Sequence, residues 1–110
     1  MNNEFIKEIK GKEYHFKFKS KKLVDLEKTT GKTILDILQT VSLSNIALLL
    51  KYSCLDEVDE YELLDDLLEE MTIEKVVTDV ILETCVVSGI ISKVDLDKIK
   101  DAKTDGGSKN

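Results

Sequence analysis

Nine carboxylates fall within residues 56–70: Asp56, Glu57, Asp59, Glu60, Glu62, Asp65, Asp66, Glu69 and Glu70. Clustered carboxylates can hold a hard cation or divide general acid and general base roles between them. A calcium loop alternates its ligands around a central glycine, and the run from Asp56 to Glu62 has neither that order nor a glycine. Glycoside hydrolysis sets two carboxyl groups across a substrate cleft, and the chain has no Trp to stack a sugar. Two readings stay open for the run. It is the solvated side of a helix, or it is a docking face for a basic partner, with Glu62, Asp65, Asp66 and Glu69 as its candidate residues. The like charges at Glu62/Asp66, Asp65/Glu69 and Asp66/Glu70 each cost about a few tenths of a kcal/mol on a helix. A basic partner would relieve that cost.

The remaining chemistry-bearing residues form no catalytic set. His15 is the single histidine, and Cys54 and Cys85 have no C-x-x-C spacing, so neither a metal site nor an activated thiol is indicated. Both cysteines lie in apolar stretches and are expected as buried, reduced residues, with a disulfide between them as the lesser reading. Gly31-Lys32-Thr33 has the ending of a phosphate loop, but the position of that loop's first glycine holds Leu26 and no buried strand precedes it. A junction between two helices is the better account. Lys17, Lys19, Lys21 and Lys22 alternate or adjoin aromatics, as in single-strand nucleic-acid platforms. A small hairpin needs those aromatics as core. All sixteen basic residues are Lys and the net charge is −6, which disfavours specific nucleic-acid binding, a task that relies on Arg. No catalytic activity, cofactor or metal is expected.

These residues are carried by two kinds of periodicity. Tyr14, Phe16 and Phe18 alternate with His15, Lys17 and Lys19, the pattern of a strand with one buried face. From Leu23 onward the apolar residues recur at helical intervals. Strands are expected at Phe5–Ile9 and at 14–19, joined through Lys10 to Glu13 with Gly11 supplying a positive φ. Ser20 is expected to cap a helix over 21–29 that Gly31 ends; Thr33, with Asp36, caps another over 34–39. A third helix starts at Ser42 or Ser44, runs to about Leu55 and is apolar enough to be central.

Asp59 then caps a helix over 60–70, with Leu63, Leu64, Leu67 and Leu68 inward. Thr72 caps another over 73–88, with Val76, Val77, Val80, Ile81 and Thr84 inward. Ser92 and Asp95 open a last short helix over 93–102, bearing Val94, Leu96 and Ile99. The fold class is mainly α with a small N-terminal hairpin (α+β), five to six short helices in one domain. That domain spans 1–103, with its hairpin at about 4–19, and a disordered polar tail follows at 104–110. No apolar run approaches the ~20 residues of a membrane span, and Met1 to Glu4 lack the basic and apolar regions of a signal peptide, so a cytoplasmic place is expected. Residues 1–32 carry nine Lys against five acids, and residues 33–110 seven against seventeen.

The order of strand, Gly11-Lys12 turn, Tyr14, Phe16 and Phe18, then Leu23, Leu26-Glu27, Thr30-Gly31 and Ile34-Leu35 with Leu38 resembles the tail assembly chaperones of long-tailed phages and prophages of Gram-positive bacteria. The likeness covers about residues 4–40, and its shared positions are packing residues. It implies a non-catalytic factor of the host bacterial cytoplasm, absent from the mature virion, that binds the tape measure protein and recruits tail tube subunits. It also implies a longer product made by frameshifting, for which Asp105 to Ser108 would serve as linker. A chaperone that coats a long client is expected to be a homo-oligomer. A hairpin of this size, marginal alone, is expected to offer Tyr14, Phe16 and Phe18 as the self-association edge. The other reading is an acidic adaptor or inhibitor that docks a basic partner through helix 60–70.

Overall fold

The computed structural model describes residues 3–108, and side chains as far as Asp101. Two strands, β1 (Phe5–Ile9) and β2 (Lys12–Phe16), form an antiparallel hairpin with Ile9 opposite Lys12 and Phe5 opposite Phe16. Its turn is two residues, Lys10 and Gly11, both at positive φ (53° and 79°), the geometry whose twist matches that of the flanking strands. The second strand thus starts two residues before Tyr14 and stops at Phe16 rather than Lys19. Register explains the difference, because Phe16 already faces the first residue of β1. Phe18 is buried all the same, outside the ladder, and its N–H donates to Ser88 Oγ at 2.8 Å.

The helices follow as α1 (Ser20–Thr30), α2 (Ile34–Leu38), α3 (Leu43–Ser53), α4 (Glu60–Glu70), α5 (Ile73–Val76), a π segment (Val77–Ile81), α6 (Leu82–Val87) and α7 (Lys93–Ser108). α5, the π segment and α6 are one continuous rod, so the hairpin is followed by six helical rods in an α+β domain. Thr33 and Asp36 form the reciprocal cap of α2, and Asp59 Oδ1 accepts from the N–H groups of Tyr61 and Glu62 at the start of α4. Both caps satisfy amide donors that the first helical turn leaves free. Ser20 lies inside α1 instead of capping it, and Lys19, which has no acceptor, takes the cap position. Gly31, at φ 71°, ends α1 with its N–H on Glu27 O.

The core runs through every element. Ile9, Phe16 and Phe18 share one core with Leu26, Ile34, Leu49 and Leu50, with Leu63, Leu64 and Leu67 of α4, and with the buried side of the rod over 73–87. α3 is central as expected, with Ile46, Ala47, Leu49, Leu50 and Ser53 all buried. The rod buries more than its expected stripe, since Thr78, Leu82 and Cys85 are inward too. Thr78 Oγ1 bonds back to Glu74 O (3.2 Å) and Thr84 Oγ1 to Val80 O (2.7 Å). Hydroxyls that insert into the helical ladder bend helices. The wider π turn then rotates the following residues, so one straight stripe cannot describe both halves of the rod.

In α4 the inward stripe is Leu63, Leu64 and Leu67, while Leu68 stays partly exposed. α7 docks through fully buried Leu96 and leaves Val94 outside. Its backbone remains helical to Ser108, beyond the expected end at Ala102 and into the segment 104–110 expected to be disordered. No proline interrupts it. Residues 109 and 110 of that segment lie outside the described residues. No helix among the described residues is long and apolar enough to cross a membrane.

Phe16→Ala should cost about 3–5 kcal/mol in urea melts, the range for truncating a fully buried aromatic, whereas Tyr61→Ala on the surface should stay within about 0.5 kcal/mol of native. Cys54 is half-buried and Cys85 fully buried, both free thiols. Burial pushes the Cys85 thiol from 9.0 up to about 12. A thiol reagent at mildly alkaline pH should therefore modify Cys54 in the folded chain and reach Cys85 only after urea is added. The contribution of the neutral buried thiol to stability is intact below pH 9.0 and declines as pH rises toward about 12. Chemical denaturation across that window should show a shallower alkaline decline for Cys85→Ala than for the native chain.

Candidate interaction surface

The sequence points to two surfaces, the hairpin edge and the acidic helix. On the hairpin, Phe16 and Phe18 are buried in the core and Tyr14 is half-buried beneath Lys12, whose Nζ sits 5.1 Å from the ring centroid. None of the three offers an exposed aromatic edge. The backbone edge of β2 is occupied as well. Leu55 N–H donates to His15 O (2.8 Å), Lys17 N–H to Ser53 O (2.8 Å), and His15 N–H to Asp56 Oδ2 (2.8 Å). The segment after α3 thus lies along β2 like a short third strand, with Phe16 bridged to Cys54. His15 is half-buried, not solvent-facing, because its ring lies between Asp56 (3.3 Å) and Glu13 (3.4 Å).

That leaves the edge of β1. His15 turns its backbone groups outward, so Ile6, its partner across the ladder, does the same. A twofold pairing of two β1 edges would place like charges opposite each other in each central register. Centred on Ile6 it opposes Glu4 and Glu8, centred on Lys7 it opposes the two lysines, and centred on Glu8 it opposes the two glutamates. Opposed like charges destabilise a ladder, and charged edges are a common barrier to strand addition. The expected self-association edge at Tyr14, Phe16 and Phe18 is therefore not the exposed surface of this ribbon.

The four acids on helix 60–70 divide into two pairs. Asp66 and Glu69 are held by Lys10 Nζ at 3.4 and 2.6 Å, and Glu70 Oε2 accepts the Lys10 N–H at 3.0 Å. Lys10 supplies the cation that the last turn of α4 lacks, where the helix dipole favours positive charge. The Glu69 carboxylate, joined by Asp66, holds the Lys10 ammonium above its ordinary pKa. Glu62 and Asp65 form no ion pair among the described residues. They share the outer side of α4 with Tyr61, 64% exposed, and Leu68, 37% exposed. Spacings of four and three place Tyr61, Asp65 and Leu68 in one row. The sequence reading missed the apolar half of this face because it assigned Leu68 to the core.

Two further surfaces stand out. On α1, Lys21 and Lys28 point away from the core and flank Val24, 47% exposed. Asp25 stands between those two lysines and, with Lys22, Lys28, Lys51 and Tyr52, lines an open cleft of mixed charge, in which Tyr52 donates to Thr29 Oγ1 at 3.4 Å. At the corner between α2 and α3, Leu35, Val41 and Leu43 are each more than half exposed. They adjoin a narrow groove formed by Ile37, Leu38, Val41, Ile46, Val77 and Ile81. The groove reaches the π segment, a feature often found at functional sites.

Among the described residues no group of His, Cys, Asp and Glu could hold a metal ion. Gly31-Lys32-Thr33 is the stop of α1 and the cap of α2, so its amides serve helix ends. The described residues present exposed apolar and charged faces instead. Compared with known protein families, curated sequences and solved structures, the chain finds no match.

Proposed function

We infer that the chain is a non-catalytic phage tail assembly chaperone. It works in the host bacterial cytoplasm, binds the tape measure protein, recruits tail tube subunits, and is left out of the mature virion. The observation that carries this reading is the α2–α3 corner, where Leu35, Val41 and Leu43 stand exposed beside a narrow groove. The exposed side chains, rather than the groove, offer an apolar patch for the apolar face of an amphipathic helix, the conformation that suits a long helical client. Of the positions that carry the resemblance, Phe16, Phe18, Leu26 and Ile34 are core residues, Gly31 ends a helix, and Leu35 stands exposed at the proposed binding corner. An acidic surface keeps such a protein soluble while its binding corner is free.

The second reading, an acidic adaptor or inhibitor that docks a basic partner through helix 60–70, is favoured by the unpaired Glu62 and Asp65. The two readings differ in their response to salt. Client binding through the α2–α3 corner should survive about 0.5 M NaCl, whereas docking through α4 alone should weaken steeply over that range. In a pull-down with a tape measure protein, Val41→Asp with Leu43→Asp should lower retention about tenfold or more, since charges then replace the apolar side chains of the corner. Retention unchanged by those two substitutions, or no retention by the native chain, would sink the chaperone reading.

A further inference from the structure

One edge of the hairpin has its backbone open. The segment after α3 fills the outer side of β2, but nothing among the described residues pairs with the outer side of β1. The N–H and C=O groups of Ile6 and Glu8 turn outward, because their partners His15 and Glu13 belong to the ladder pairs without mutual hydrogen bonds. Side chains at 4, 6 and 8 share one face by alternation. On that face Ile6 is 50% exposed and Glu8 is exposed. Glu8 stands directly opposite Glu13, a like-charge register that destabilises a ladder. Glu13 has His15 Nε2 at 3.4 Å, whereas Glu8 forms no ion pair among the described residues. None of the hairpin lysines compensates it. Lys7 and Lys12 alternate onto the other face, Lys10 is bound to Asp66 and Glu69, and Lys17 lies past Phe16 at the Glu4 end.

We propose that the outer edge of β1 takes an extended segment of another protein as an added antiparallel strand, with Lys or Arg opposite Glu8 and an apolar residue opposite Ile6. In such strand addition the main-chain bonds supply affinity and the alternate side chains select the partner. A cation opposite Glu8 neutralises the charge that faces Glu13, and a β-branched residue opposite Ile6 covers its exposed side. A second copy of β1 is a poor occupant, since its registers oppose like charges. The charges that bar self-pairing therefore favour a basic strand over the chain's own. This site is independent of the chaperone reading, which rests on the α2–α3 corner, and of the acidic side of α4.

The capped peptide Thr-Lys-Thr-Val-Thr-Lys-Thr tests it on the full native chain. With Val opposite Ile6, one Lys meets Glu8, and the threonines favour extended backbone. Amide NMR should place the largest shifts at Ile6 and Glu8, and hydrogen exchange at those two amides should slow. N-methylation of Val and both Lys removes the donors that face β1 and should weaken binding about tenfold or more. N-methylation of the two threonines beside Val, whose N–H groups face away, should change it less than about threefold. This pair of peptides needs no variant of the protein. Glu8→Lys, at an exposed position, should also weaken binding about tenfold, with circular dichroism reporting whether the fold is kept. Equal binding by the two methylated peptides would mean attraction to an acidic surface without strand pairing, and would overturn the proposal. Shifts confined to α4, or no shift up to about 1 mM peptide, would overturn it as well.

Discussion

The hairpin holds its place because the chain after α3 lies along β2. Two strands of five residues bury too little to stand alone in water. The contacts from Ser53, Leu55 and Asp56 complete the backbone pairing of β2 and fix its distance from α3. Phe16 is then forced into the core beside α3, and Phe18 follows it inward. With the aromatic face spent on packing and the outer edge of β2 filled, the open backbone of the ribbon is the charged edge of β1.

Charge is divided by the same geometry. The turn of the hairpin brings Lys10 to the last turn of α4, where Glu69 and Glu70 would otherwise crowd an unfavourable dipole. This long-range pairing stabilises one end of the helix and leaves the acids nearer its start without a partner. The acidic run is accordingly two surfaces: one structural, against the hairpin turn, and one facing solvent beside Tyr61 and Leu68. One helix thus carries acids fixed by the hairpin turn and acids exposed to solvent.

Local rules explain what was legible in the sequence. The cap of α4 by Asp59, the reciprocal cap of α2, the left-handed stop at Gly31 and the span of β1 are set by residues within four positions, and they stand where spacing places them. What was not legible depends on distant partners. The aromatic alternation continues to Phe18, but pairing stops at Phe16 because β1 begins at Phe5. Leu68 fits an apolar stripe by spacing, yet no element covers it. The π turn in the rod over 73–87 falls in a run of buried residues whose apolar spacing carries no mark of it. The commitment of Asp66 and Glu69 to Lys10 crosses more than fifty residues and leaves no local signal. Of the candidate residues, Glu62 and Asp65 were found from type and spacing; Val24, Tyr61 and the α2–α3 corner emerged only from exposure.

The bond between Phe18 N–H and Ser88 Oγ joins positions 70 apart, and it ties the ribbon to the far end of the rod over 73–87. Residues 53–56 hold β2, and Asp66, Glu69 and Glu70 hold the turn. Closing such long loops costs chain entropy and slows folding. A hairpin whose own strands meet across two residues is therefore local in its pairing and non-local in its anchorage.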